Sequence, residues 1–169
     1  MFPGGNIIRI TPTISATAYD VADVLFLTTE IPNAVSSRGG VSRLMGVTMI
    51  SQHDALDDVG LVFMKNSYYL IGSLCPGSSG GTNITDANVE AAEIIGWVEL
   101  DSSDNSIDLG GARVYSTGGG IGAATVLTPM LLQAAAGSTS VYVGGIAIDA
   151  QDYGAADDLD LVFHIEYIN

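Results

Sequence analysis

Apolar and polar residues alternate along most of this chain, and glycine, aspartate or asparagine interrupts the alternation at short intervals. A period of two sends successive side chains to opposite faces of a sheet, whereas on a helix it would scatter apolar groups around the whole circumference. The chain must therefore fold mainly as half-buried strands. Ile8-Arg9-Ile10-Thr11-Pro12-Thr13-Ile14 places apolar side chains at even positions, with Pro12 restricting the segment to an edge or a break. Residues 24–31 and 41–50 are rich in β-branched and large apolar residues and are bounded by Asn, Ser or Gly. Residues 59–64, 94–100, 112–116, 140–148 and 159–168 complete a set of about eight strands, and 21 glycines supply turn material.

Helical signals are few. Residues 85–93 open on the N-cap types Thr85 and Asp86, carry acids early and are rich in alanine, so one short connecting helix is expected there. In residues 125–136, Pro129 would remove a hydrogen bond and clash with the preceding turn at a cost of about 3 kcal/mol, so the first half is read as a strand. Many short strands without a βαβ rhythm predict an all-β fold, an antiparallel β-sandwich or jelly roll of about eight strands. Residues 24–169 are taken as this single domain, and residues 1–23 as an N-terminal segment and candidate extended arm.

Composition narrows the function classes. The 169 residues, 17.4 kDa, suit one domain that buries about two-thirds of its unfolded surface. Nineteen acids against five bases give a formal charge of −14, which repels phosphate backbones and anionic headgroups, so neither nucleic acid nor a membrane is expected as a partner. Mean hydropathy is +0.37, yet no stretch approaches the roughly 18 apolar residues of a spanning helix. Met1-Phe2-Pro3-Gly4-Gly5 lacks the charged and apolar regions of a secretory leader, and none is expected. Cys75 is the sole cysteine, which excludes an intrachain disulfide and a thiolate metal cluster. With only 14% charged residues there is little to solvate an outer surface, and burial between copies of the chain is expected to resolve the mismatch.

Candidate chemical motifs fail on context. Gly77-Ser78-Ser79-Gly80-Gly81 spells the nucleophile-elbow pattern around Ser79, but Pro76 precedes it and no long helix follows. Gly118-Gly119-Gly120-Ile121-Gly122-Ala123 spells a loose dinucleotide fingerprint, and Pro129 interrupts the helix that would receive the pyrophosphate. Both are read as loops. His53 and His164 lie beside Asp54 and Glu166, and would make a metal site only if their strands converged at one end of the sandwich. Cys75 has no neighbouring base, and the sequon at Asn83 carries no meaning without a leader. No catalytic residue, metal ligand or cofactor is expected. Residues 55–63 echo residues 155–163, each placing two aspartates before an apolar strand; similar turns explain the echo, and a shared calcium site is the alternative. Trp97 shares a strand face with Ile95 and Glu99, opposite Val98 and Leu100. Packing in the core or an interface is expected of it, with a carbohydrate-stacking platform shared with Tyr68 and Tyr69 as the alternative.

One order of segments carries a resemblance. Thr28-Thr29-Glu30-Ile31-Pro32-Asn33-Ala34 is followed by Arg38-Gly39-Gly40-Val41-Ser42-Arg43-Leu44-Met45-Gly46-Val47-Thr48-Met49-Ile50. Leu61-Val62-Phe63-Met64, Ile94-Ile95-Gly96-Trp97-Val98, Ser138-Thr139-Ser140-Val141-Tyr142-Val143 and Asp158-Leu159-Asp160-Leu161-Val162-Phe163 come after it. From about Val24 onward this resembles the jelly-roll decoration, or cement, proteins of tailed bacteriophages. The resemblance implies a structural virion protein made in the host cytoplasm, a homotrimer on the outer capsid surface whose partner is the major capsid protein. It requires no catalytic group. The interface candidates are Ile8, Ile10, Tyr68, Tyr69 and Trp97. The alternatives are a carbohydrate-binding or a tail or baseplate β-sandwich module, with a hydrolase acting through Ser79 ranked last.

Overall fold

The computed structural model describes residues 4–16, 18–53, 57–67, 86–117 and 129–168. In chain order the strands are β1 (Gly5–Ile10), β2 (Ala18–Tyr19), β3 (Val24–Ile31), β4 (Val41–Ser51), β5 (Val59–Met64), β6 (Ile94–Leu100), β7 (Ser106–Asp108), β8 (Arg113–Thr117), β9 (Met130–Gln133), β10 (Val141–Ala147), β11 (Gln151–Asp152) and β12 (Leu159–Tyr167). Helix α1 (Asp86–Ala92) precedes β6, and the single turn α2 (Ser102–Asn105) follows it. The expected connecting helix is thus present, and the fold is an antiparallel β-sandwich.

One sheet has the order β1-β12-β4-β8-β7, with β9 pairing the first half of the β4 edge that β8 pairs further along. The second has the order β3-β10-β5-β6, and β11 and β2 form a two-stranded ribbon. Every pairing is antiparallel. Alternation sends Leu159, Leu161, Phe163 and Ile165 of β12 inward against Val59, Leu61 and Phe63 of β5. The two echoing segments are therefore facing strands of opposite sheets. Their phenylalanines, Phe63 and Phe163, meet edge to face at 5.9 Å, a favourable ring geometry.

Residues 5–10, in the segment read as a candidate arm, form β1, which pairs with β12 along its whole length, so the terminal strands lie side by side. That pairing sets the phase, burying Ile8 opposite Phe163 and packing Ile10 against the core beside Leu161, which leaves Ile7 as the outward residue at 68% exposure. The strand expected in the first half of residues 125–136 falls mostly on residues 125–128, which lie outside the described residues; β9 runs from Met130 to Gln133. Pro129 has no N–H to donate to a ladder, which suits it to the position just before β9.

Central strand β10 carries Gly144-Gly145, and its register against β3 shifts on both sides of Gly145. The Phe26 ring lies over that glycine, so that an added Cβ would stand 2.2 Å from Phe26 Cε1. Gly145→Ala is expected to destabilise the fold by about 1–3 kcal/mol through overpacking in urea denaturation. Gly111→Ala, with open space around it, is expected to change stability by under about 0.5 kcal/mol.

Candidate functional site

Of the interface candidates, Ile8 and Ile10 point inward as described, and Tyr68 and Tyr69 lie outside the described residues. Trp97 stands on the outer face of β6, opposite Val62 of β5, and is 64% exposed, while Val98 and Leu100 are in the core. Ser79, Cys75, Asn83 and Gly118 to Ala123 are outside the described residues. The histidines do not meet. His164 faces outward from β12 opposite Gly46, with Nε2 3.4 Å from Thr48 Oγ1, whereas His53 lies beyond the far end of β4, its ring against Tyr153. Among the described residues no group of three His, Cys, Asp or Glu is placed to hold a metal ion.

The feature that sequence reading missed is where the charges collect. Antiparallel strands bring alternate connections to the same end of a sandwich. One end is formed by the starts of β3, β5, β8 and β12 and the ends of β4, β6, β7 and β10. All the described aspartates except Asp86 lie in or beside those connections. Six of them accept backbone amides, four within their own turn and two, Asp58 and Asp149, from a neighbouring connection. Asp23 accepts the amide of Asp20 at 2.9 Å, Asp58 that of Ser102 at 2.7 Å, and Asp101 that of Ser103 at 2.7 Å. Asp108 accepts from Gly110 at 2.6 Å, Asp149 from Asp58 at 3.1 Å, and Asp158 from Ala155 at 2.7 Å. Asp is suited to such turns because its short side chain reaches a backbone amide a few residues away. The two bases at this end are each paired with an acid, Arg9 with Asp160 and Arg113 with Asp108. The Arg9 guanidinium holds the Asp160 carboxyl below its usual range.

One aspartate at this end is buried. Asp57, 1% exposed, accepts from Ser51 Oγ at 3.3 Å, and its own amide donates to the Tyr115 hydroxyl at 3.1 Å. Among the described residues its Oδ1 and the nearby His53 Nδ1 have no hydrogen-bond partner. Burial pushes the Asp57 carboxyl up to about 6, against the opposing pull of Ser51 and His53, and the Asp149 charge adds to the rise. The same burial drives the Tyr115 hydroxyl up to about 12 and Tyr153 higher still. Its echo partner Asp157 is exposed, so the two aspartate pairs do not form equivalent ligand sets.

The opposite end is close to electrically balanced. Arg38, Arg43 and Lys65 stand there with Glu30, Glu93 and Glu166, and Asp86 and Glu90 lie on α1, which leads into β6, so three bases face five acids where the other end has two bases against twelve aspartates. Arg43 pairs with Glu166 at 3.2 Å and Lys65 with Glu93 at 2.7 Å, and the Lys65 bond lowers the Glu93 carboxyl. A cleft of about 420 Å³ opens at this end between the first residues of β6 and β9, lined by Val41, Lys65, Glu93, Ile94, Ile95, Leu131 and Gln133. Leu131 and Ile94 are 56% and 44% exposed at its rim. Gly96 lets the sheets close behind it, since a Cβ there would strike Met130 Sδ.

Neither the protein-family models nor the curated proteins give a match to this chain.

The Asp57 environment has a pH signature. A carboxyl whose pKa is raised on folding contributes stability that is full below its unfolded value, near 4, and is lost as pH rises through about 6. The loss at neutral pH is of order 2–3 kcal/mol. Asp57→Asn is expected to remove it, so that urea denaturation shows the variant gaining on the wild type between pH 4.5 and 7; parallel stability curves would contradict the assignment.

Proposed function

We propose that this chain is a structural subunit of a tailed-phage virion, a cement or decoration protein that packs on copies of itself and on the outer capsid surface. It stabilises the shell by bridging neighbouring capsid proteins. The observation that carries the reading is the distribution of charge. Acids are gathered at one end of the sandwich, while large apolar side chains, Ile7, Trp97, Ile94 and Leu131 among them, stand exposed elsewhere. A surface of that kind suits adhesion, since obligate contacts are poor in charge and rich in apolar and aromatic groups. An acidic end left in solvent would keep decorated particles mutually repulsive. The order of sequence segments from Val24 onward supports the same reading.

The mechanism is mass action. A subunit that binds the assembled shell and not its dissociated parts shifts assembly by RT ln(1 + [L]/Kd) at every occupied site. Stripping the chain from particles is expected to lower their resistance to heat, and adding it back to restore it. Unchanged heat resistance would contradict the mechanism. A copy number comparable to that of the major capsid protein fits a decoration role, and a small fraction of it would place the chain in the tail.

Trp97 favours a second reading, a carbohydrate platform on the same sandwich. It is the only tryptophan, so its fluorescence reports on that face alone. Oligosaccharide titration is expected to leave the emission unchanged, and a saturable change would replace the adhesion reading with this one.

A further inference from the structure

We propose that copies of this chain meet through the balanced end, around the cleft between the first residues of β6 and β9, and that the acidic end points away from the contact. The occupant of the cleft rim is a second copy of the same chain.

The argument is one of electrostatic distance. Strand β10 runs between the two ends and has 7 residues, which at about 3.3 Å each separates the ends by about 23 Å. The Debye length at physiological salt is about 8 Å. Copies joined at their balanced ends hold their acidic ends apart by more than twice the strand length, where the repulsion is screened away. Any contact made through the acidic end, or side by side with the acidic ends aligned, brings the carboxylates along the seam within about one Debye length of like charges.

At the balanced end four of the charges offset one another in pairs within the chain, and Arg38 stands against the remaining acids. Lys65 and Glu93 neutralise each other on the cleft wall, and Arg43 and Glu166 do so nearby. A second copy therefore meets little net charge there. It also meets apolar surface: Leu131 and Ile94 at the rim, with Val41 and Ile95 behind them. Exposed apolar residues also occur at the acidic end, at Val21, Ile107 and Leu109, so hydrophobicity alone does not choose between the ends. Charge does.

This inference rests on the reading above only in taking the chain to self-associate, and it is tested on the purified chain without particles, so it fails separately from the shell role. Sedimentation velocity at 150 and 500 mM NaCl is expected to show an oligomer whose dissociation constant shifts less than about threefold. Leu131→Asp and Ile94→Asp are each expected to weaken association at least tenfold, with the circular dichroism spectrum and melting point showing that the variants are folded. Leu109→Asp, at the acidic end, is expected to leave it unchanged. A monomeric wild type, an oligomer that forms only at high salt, or association lost in Leu109→Asp and retained in both rim variants would each overturn the proposal. Should the rim variants unfold, the salt series on the wild type decides.

Discussion

The turns at one end of this sandwich are closed by carboxylates that accept backbone amides, and the rest of the charge distribution follows from that choice. Loop amides need acceptors, and Asp supplies one, within its own turn or to a neighbouring connection, through a charge-assisted bond that contributes about 1.5–3 kcal/mol where it is shielded from solvent. In an antiparallel sandwich alternate connections share an end, so a preference for Asp in those connections stacks like charges together. The Asp20–Asp23, Asp58–Ser102, Asp149–Asp58 and Asp158–Ala155 bonds thus do two things at once. They fix the entries to β3, β5 and β12, and they make one end of the molecule strongly negative.

Packing supplies the other half of the account. The core between the sheets is filled by the inward sets of β3, β4, β5, β10 and β12, with Phe63 against Phe163 at its centre. Those strands have few charges to place on their outer faces, and the ones they carry pair off, as Arg9 does with Asp160 and Arg43 with Glu166. Paired surface charges contribute little to stability, about 0–1 kcal/mol each. Their effect is to leave the faces and the far end close to neutral, surfaces on which another protein can sit without desolvating a lone charge.

Much of the fold was legible in the sequence, because alternation fixes both the strand and its inward face. The strands over 24–31, 59–64 and 94–100 have the expected limits, and Val98 and Leu100 share a face as the alternation requires, although only the packing shows that this face, and not that of Trp97, is the inner one. Ile8 and Ile10 were legible as one face of a strand, but not as the inner face, because that depended on the pairing of β1 with β12, more than 150 residues away in sequence. The echo of aspartates before β5 and β12 was visible; its meaning was not, since only topology shows that both pairs fall at one end. The cleft was hidden for the same reason, being built from β6 and β9, which belong to different sheets.

The chain is electrically polarised, and the contact proposed for its balanced end would leave the carboxylates in solvent. Hydrogen–deuterium exchange of the purified chain, compared between a dilute monomeric sample and a concentrated one, tests it most directly. The account requires new protection in β9 and the first residues of β6, with the Asp20–Asp23, Asp149–Asp152 and Asp157–Asp158 connections exchanging as before. Protection that instead appears in those connections, with β9 and β6 unaffected, would contradict it.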